Sequence, residues 1–318
     1  MVPCKPFLRF LIPGCVLLLL PFASAQELQE QVEVKLVQID VVATDSKGKL
    51  VTDLTGDDFT VKENGKVQKV SHFYNSANDE TRYPLTMSFL VDTSYSMHEK
   101  VEGMTRIDVA VDAADQIMNQ VNDKDQIELI DFNEKTNVIV PFTTELESVW
   151  NQFDKLKFQE KNTAMYDSVI YALNRIKDKS GRRILVIFSD GMDTSSKSVE
   201  EDAIQAIHDS DTTIIAFFSE IAGRNFLAAG DRNSMNDVRA EAGEDILRNF
   251  ADISGGAFFS FRKEEELQKA LENFRAFVKS QYTLAYTPPA GKSGWRKLKV
   301  ECKRKGVHLN YREGYMAD

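Results

Sequence analysis

The stretch Leu85-Thr86-Met87-Ser88-Phe89-Leu90-Val91-Asp92-Thr93-Ser94-Tyr95-Ser96 decides the fold. Its first part is a short, mostly apolar run bounded by Pro84 and Asp92, which reads as a buried strand. Downstream, Ile107, Ala110, Val111, Ala114, Ile117, Met118 and Val121 recur at helical spacing. Further apolar runs follow at Ile127–Phe132, Val138–Phe142, Ile184–Phe188, Thr212–Phe218 and Ala257–Phe261. They are separated by helical stretches at Met165–Ile176, from Ser198 (with Glu201 as a capping box), at Gly243–Ile253, and at Leu267–Val278. Strands that are apolar throughout, alternating with amphipathic helices, predict an α/β fold with a doubly wound, mostly parallel, Rossmann-like sheet covered on both faces.

Outside this region the pattern becomes that of half-buried strands. Val37, Ile39 and Val41 alternate, after a phase slip near Leu36 that reads as a bulge. Asn64-Gly65 is a hairpin signal, and Asn75–Thr81 is polar enough for a linker. After Ser280, Tyr282–Tyr286 and Lys297–Lys303 are strand-like, with Leu298, Val300 and Cys302 on one face. The two flanks together offer about seven strands, so we expect them to form one β-sandwich into which the α/β domain is inserted. The expected division is a signal peptide over 1–25, the first part of the sandwich over 26–80, the α/β domain over 81–280, and the rest of the sandwich over 281–318.

Lys5 and Arg9, the apolar Leu11–Phe22 and the small residues Ala23-Ser24-Ala25 have the layout of a secretory signal peptide. An uncleaved anchor helix and a lipobox at Ile12–Cys15 are alternative readings of the same residues. Either way the chain is expected to be exported, periplasmic or extracellular, with no stable membrane span once a signal is cleaved. Cleavage would leave Cys302 as the single cysteine, so no intrachain disulfide is expected. Cys302 reads as a buried filler rather than a reactive thiol. The net charge of −10 lacks the basic footprint of a nucleic-acid binder.

Asp92-x-Ser94-x-Ser96 alone is a loose pattern; Asp92 and Ser94 could merely cap a helix, and Asp190-Gly191 could be a turn. Position gives it weight, because open parallel sheets bind ligands outside the carboxyl ends of their strands. The loop Phe188-Ser189-Asp190-Gly191 leaves such an end too, and Asn162-Thr163-Ala164 precedes a helix on the same rim. Asp92, Ser94, Ser96, Thr163 and Asp190 are hard oxygen donors, suited to Mg²⁺, with Mn²⁺ or Ca²⁺ as alternatives, and poorly suited to zinc or copper. Without a metal, Asp92 and Asp190 would repel each other.

In order and on their loops, these five residues resemble the metal-ion-dependent adhesion site (MIDAS) of von Willebrand factor type A (VWA) domains. Thr163–Asp167 and Phe188–Gly191 resemble the second and third loops of that family. The flanks (Asp57-Asp58-Phe59, Asn64-Gly65, Tyr282–Tyr286 and Arg312–Tyr315) resemble a secreted VWA-related family abundant in acidobacteria. The resemblance implies direct metal binding by Ser94 and Ser96, and water-mediated roles for Asp92 and Asp190. It also implies a protein partner whose Asp or Glu completes the shell. Lys161-Asn162 departs from the small approach usual before the threonine, which puts direct coordination by Thr163 in doubt.

Enzymatic readings find little to stand on. The sequence has no Gly-x-Ser-x-Gly elbow and no P-loop, and His98-Glu99 lacks the second histidine of a zinc-protease helix. A metal-assisted hydrolase, an intracellular chelatase-type subunit and a structural envelope module with a stabilising metal are the competing functions. Partner contacts are expected from His98, beside the first loop, and from Arg224, Phe226 and Leu227 in the long 219–242 connection. The last helix, running almost directly into Tyr282, is a candidate lever between metal site and sandwich.

Overall fold

The computed structural model describes residues 36–76, 84–98, 100–101, 104–119, 121–153, 155–156, 162–219, 235–261, 264–279 and 281–317. The expected signal peptide and the phase slip before Leu36 lie outside them, as do Arg224, Phe226 and Leu227. In chain order the first elements are β1 (Val37–Asp45), β2 (Phe59–Glu63), β3 (Lys66–Gln68), β4 (His72–Asn75) and β5 (Leu85–Asp92). A small hairpin, β6 (Lys100–Val101) and β7 (Met104–Thr105), leads into α1 (Arg106–Met118). Next come β8 (Gln126–Phe132), β9 (Thr136–Thr143), α2 (Leu146–Phe153), α3 (Met165–Ile176), β10 (Arg182–Ser189) and α4 (Glu200–Ser210). They are followed by β11 (Thr213–Ser219), α5 (Met235–Ile253), β12 (Ala257–Phe261) and α6 (Glu264–Lys279). The last strands are β13 (Gln281–Tyr286), β14 (Gly294–Cys302), β15 (Val307–Asn310) and β16 (Gly314–Ala317).

The central sheet has the order β12-β11-β10-β5-β8-β9, all parallel except the edge strand β9. Every residue of β5 is buried, as a central strand covered on both faces requires. Alternate residues serve different layers. Met87, Phe89 and Val91 join α1, α2 and α6 in one core, while Leu90 joins α3, α4 and α5 in the other. The chain leaves β5 for β8 on one side and later returns to β10 on the other. The strand order therefore reverses between β5 and β10, and open parallel sheets bind ligands outside the carboxyl ends at such a reversal.

The flanking segments form two four-stranded antiparallel sheets, β15-β1-β13-β4 and β16-β14-β2-β3. Each mixes strands from both ends of the chain: Val37 pairs with Tyr286, and Glu63 pairs with Leu298. Eight strands are present, close to the expected number of about seven. The β2–β3 hairpin turns at Asn64 and Gly65, both at positive φ (46° and 80°), the conformation a two-residue primed turn demands. Between the sheets lies a core of Ile39, Val41, Leu54, Val61, Tyr282, Leu284 and Tyr286. Glu63 is buried within it, accepting from Tyr286 Oη at 2.7 Å, Tyr315 Oη at 2.8 Å and Arg296 Nη1 at 2.9 Å. A buried carboxylate is tolerable only when its lone pairs are so occupied.

Three local expectations need correction. Ser198 and Glu201 do not make the capping box that opens α4. Val199 takes the cap position, Asp202 accepts its N–H at 3.0 Å, and the Ser198 N–H is drawn instead to the Asp167 carboxylate at 3.0 Å. Helix α5 begins at Met235 rather than Gly243, so the connection after β11 is shorter than 219–242. Helix α2 was not anticipated; it is eight residues long and buries Val149 and Phe153. Among the described residues, no helix is long and apolar enough to cross a membrane.

Candidate metal centre

Asp92 is the last residue of β5, and the sheet ends there because its carboxylate turns the chain. Its Oδ1 accepts the Ser94 N–H at 2.8 Å, an Asx-type turn that swings both following serines over the strand end. The Ser94 and Ser96 hydroxyl oxygens then lie 3.2 Å apart. The neighbouring strand β10 delivers Ser189, whose hydroxyl donates to Asp92 Oδ2 at 2.7 Å and accepts the Gly191 N–H at 3.0 Å. The third loop is thereby fastened to the first. Asp190 follows, its Oδ1 accepting the Met192 N–H at 3.2 Å. Asp92, Ser94, Ser189 and Asp190 are all buried, whereas Ser96 is half-buried and Tyr95 is exposed, so the cluster opens outward past Ser96.

Thr163 lies on the same rim, and among the described residues its hydrogen bonds go to Thr194 and Ser195 rather than to Asp92, Ser94, Ser96 or Asp190. It is joined to them through Asn133, whose carbonyl accepts the Ala164 N–H at 2.7 Å and whose amide donates to Thr93 Oγ1 at 3.2 Å. The second and third loops are laced together as well: the Thr163 carbonyl accepts from Thr194 and Ser195 N–H, and Asp167 accepts from Lys197 and Ser198 N–H. His98 ends the turn Tyr95–His98 and is exposed.

Two further residues belong to the centre and were not singled out in the sequence. For Ser189 the sequence signal is a hydroxyl directly before Asp190. Arg106, the first residue of α1, is almost wholly buried and places Nη1 3.1 Å from Asp190 Oδ2. The cap of α1 fixes it there: Asp108 accepts the Thr105 N–H at 2.8 Å, and Thr105 Oγ1 accepts the Asp108 N–H at 3.2 Å. An arginine in a helical stripe normally reads as solvated, so its burial was not legible.

Ser94 and Ser96 fit a small hard cation. Neighbouring oxygens of an octahedral Mg²⁺ shell lie about 3 Å apart, close to their 3.2 Å separation. Among the described residues there is no cluster of three His, Cys, Asp or Glu side chains, so carboxylate–hydroxyl donation is what this rim offers.

Burial, and then the charge of Asp190, push the Asp92 carboxyl up to about 7, against the opposing hydrogen bonds from Ser94 and Ser189. The folded-state value lies above the unfolded one, so the metal-free fold holds an extra proton between about pH 4 and 7 and loses this stabilisation as pH rises through that window. A cation needs the ionised form and must expel that proton below pH 7. We therefore expect Mg²⁺ affinity, measured calorimetrically, to fall roughly tenfold or more between pH 8 and pH 5.5. Equal affinity at the two values would show that Asp92 is not protonated in the metal-free fold.

Residues 87–192 match the family model of the von Willebrand factor type A domain, a span that contains all five expected metal-site residues. No curated protein matches the chain. Among solved structures, the chain is similar to the conserved hypothetical protein BatB from Bacteroides thetaiotaomicron (15% identity, 62% of this chain and 100% of that one, TM-score 0.47). It is also similar to a von Willebrand factor type A protein from Catenulispora acidiphila (12% identity, 90% and 75% covered, TM-score 0.48). A third is proximal thread matrix protein 1 from the mussel byssus with a zinc-occupied MIDAS motif (15% identity, 66% and 48% covered, TM-score 0.48). Residues 87–192, which carry the Asp92-x-Ser94-x-Ser96 loop, are thus the part of the chain that matches the von Willebrand factor type A domain in sequence.

Proposed function

We propose that this is an exported protein-binding module in which Ser94, Ser96, Asp92, Asp190 and Thr163 hold a divalent cation, Mg²⁺ foremost, that receives an Asp or Glu of a protein partner. The observation that carries the reading is the hydroxyl pair at the strand end. Ser94 and Ser96 are preset 3.2 Å apart, backed by two buried carboxylates, with the open side past Ser96. Such a site has few charged ligands and would leave the cation with positive charge to spend on an incoming carboxylate. Asp92 and Asp190 would orient the shell, Asp92 through the Ser94 N–H and the Ser189 hydroxyl.

A hydrolytic role is less favoured, because it would need a base facing the open side. Asp92, the carboxylate with the raised affinity for a proton, already accepts hydrogen bonds on both oxygens. Export rests on the amino-terminal sequence pattern alone. The test is a pull-down from native envelope extract with Mg²⁺, with chelator, and with the Asp92→Ala variant, alongside calorimetric Mg²⁺ titration. Capture that needs both Mg²⁺ and Asp92, and competes with a free carboxylate peptide, is expected. Metal stabilisation without metal-dependent capture would favour a structural role.

A further inference from the structure

We propose that Arg106 is a built-in competitor of the divalent cation: it neutralises Asp190 in the metal-free protein and thereby sets the affinity of the site. The inference rests on the proposed metal site and deepens it. Asp92 and Asp190 sit at the ends of the adjacent strands β5 and β10, and both are buried. A cation beside such a pair relieves the repulsion between two ionised carboxylates. Arg106 supplies one, with Nη1 3.1 Å from Asp190 Oδ2 and both side chains nearly removed from water.

Three features indicate that this cation is part of the site rather than incidental to it. Its approach is fixed by the reciprocal Thr105–Asp108 cap, so the guanidinium is not a mobile surface charge. It faces Asp190, the carboxylate that also accepts the Met192 N–H, so each Asp190 oxygen has a partner within the protein. And in a weakly screened interior a fixed positive charge beside the cation's own carboxylate opposes the cation by direct repulsion. A divalent ion at Ser94 and Ser96 must therefore share Asp190 with the guanidinium or displace it. On this reading, binding is weaker and more readily reversed than two free carboxylates would give.

A merely positional role makes the opposite prediction. If Arg106 only held Asp190 in place, its removal would weaken metal binding; as a competitor, its removal strengthens it. Mg²⁺ and Mn²⁺ are titrated calorimetrically into wild type, Arg106→Met and Arg106→Lys, with folding checked by near-UV circular dichroism. Arg106→Met is expected to bind about tenfold tighter, to melt lower without metal, and to gain more from saturating Mg²⁺. Arg106→Lys keeps the charge and should remain close to wild type. Equal or weaker binding by folded Arg106→Met overturns the proposal. Wild-type protein supplies a readout that needs no substitution: the Arg106 side-chain Nε–H resonance should move on Mg²⁺ saturation, and an unmoved signal would also overturn it. Failure of the wild type to bind either metal would remove the proposed site, and this inference with it. Metal binding with unchanged Arg106→Met affinity would remove this inference alone.

Discussion

With Mg²⁺ at about one hundred times its dissociation constant, the melting temperature of the wild-type protein should rise by about 5–10 °C, and that of a Ser94→Ala/Ser96→Ala variant by under about 1 °C. The wild-type figure follows from linkage: a ligand that binds only the native state at that excess contributes about 2.7 kcal/mol. The choice of serines rather than aspartates matters. Asp92 is part of the folded frame, since it receives both the Ser94 N–H and the Ser189 hydroxyl. Removing it would confound lost metal with a loosened loop. The two serine hydroxyls, by contrast, are within hydrogen-bond distance of each other. Losing both removes a mutual contact and leaves the backbone N–H of Ser94 on Asp92 undisturbed. Metal-free stability should change by less than about 1 kcal/mol, while metal dependence disappears. An equal melting shift in both proteins would place the cation elsewhere.

Much of this was legible in the sequence, for reasons specific to each element. Strand β5 and its loop could be placed because an apolar run ending in Asp92 has only one economical reading in an α/β pattern. The sandwich could be inferred because neither flank has enough strands alone, and β1–β13 and β2–β14 pairing now joins them. Helix α2 was missed because its buried positions, Val149 and Phe153, are too few to establish a period. The start of α5 was misplaced because the Asn- and Asp-rich approach reads as loop, although Met235, Val238 and Ala242 keep helical spacing. The sequence places five ligand candidates on one rim but not the contacts that join them. The hydrogen bonds supply those contacts, with Ser189 binding the first loop to the third, Asn133 bridging to the second, and Arg106 closing on Asp190. Such tertiary pairings connect residues tens of positions apart and leave no periodic trace.

The third loop also depends on a residue far from it in sequence. Gly243, in the middle of α5, touches the backbone that carries Asp190: a Cβ there would sit 2.4 Å from the Asp190 carbonyl oxygen and 3.0 Å from the Gly191 carbonyl carbon. Gly191 is the other half of the contact, at φ +73°, and a Cβ on it would lie 2.1 Å from the Gly243 carbonyl oxygen. Helix propensity alone says that Gly243→Ala gains about 1 kcal/mol. The clash outweighs that gain, because the obstructing atoms are backbone and cannot rotate away; overpacking of this kind costs about 1–3 kcal/mol, and here the upper end applies. A net loss of about 2 kcal/mol is expected in denaturant melts. Because the helix and the loop must separate, Asp190 shifts away from Asp92, and Mg²⁺ affinity should fall roughly tenfold. Gly191→Ala should be worse, adding the cost of a left-handed backbone, about 1–2 kcal/mol. Ala242→Gly, at the exposed neighbouring position, is the control: it should cost about 1 kcal/mol of helix stability and leave the metal affinity unchanged. If Gly243→Ala instead stabilised the protein at unaltered Mg²⁺ affinity, α5 would have no part in holding the third loop. Destabilisation with weakened Mg²⁺ binding would tie the metal rim to a helix that contributes no ligand to it.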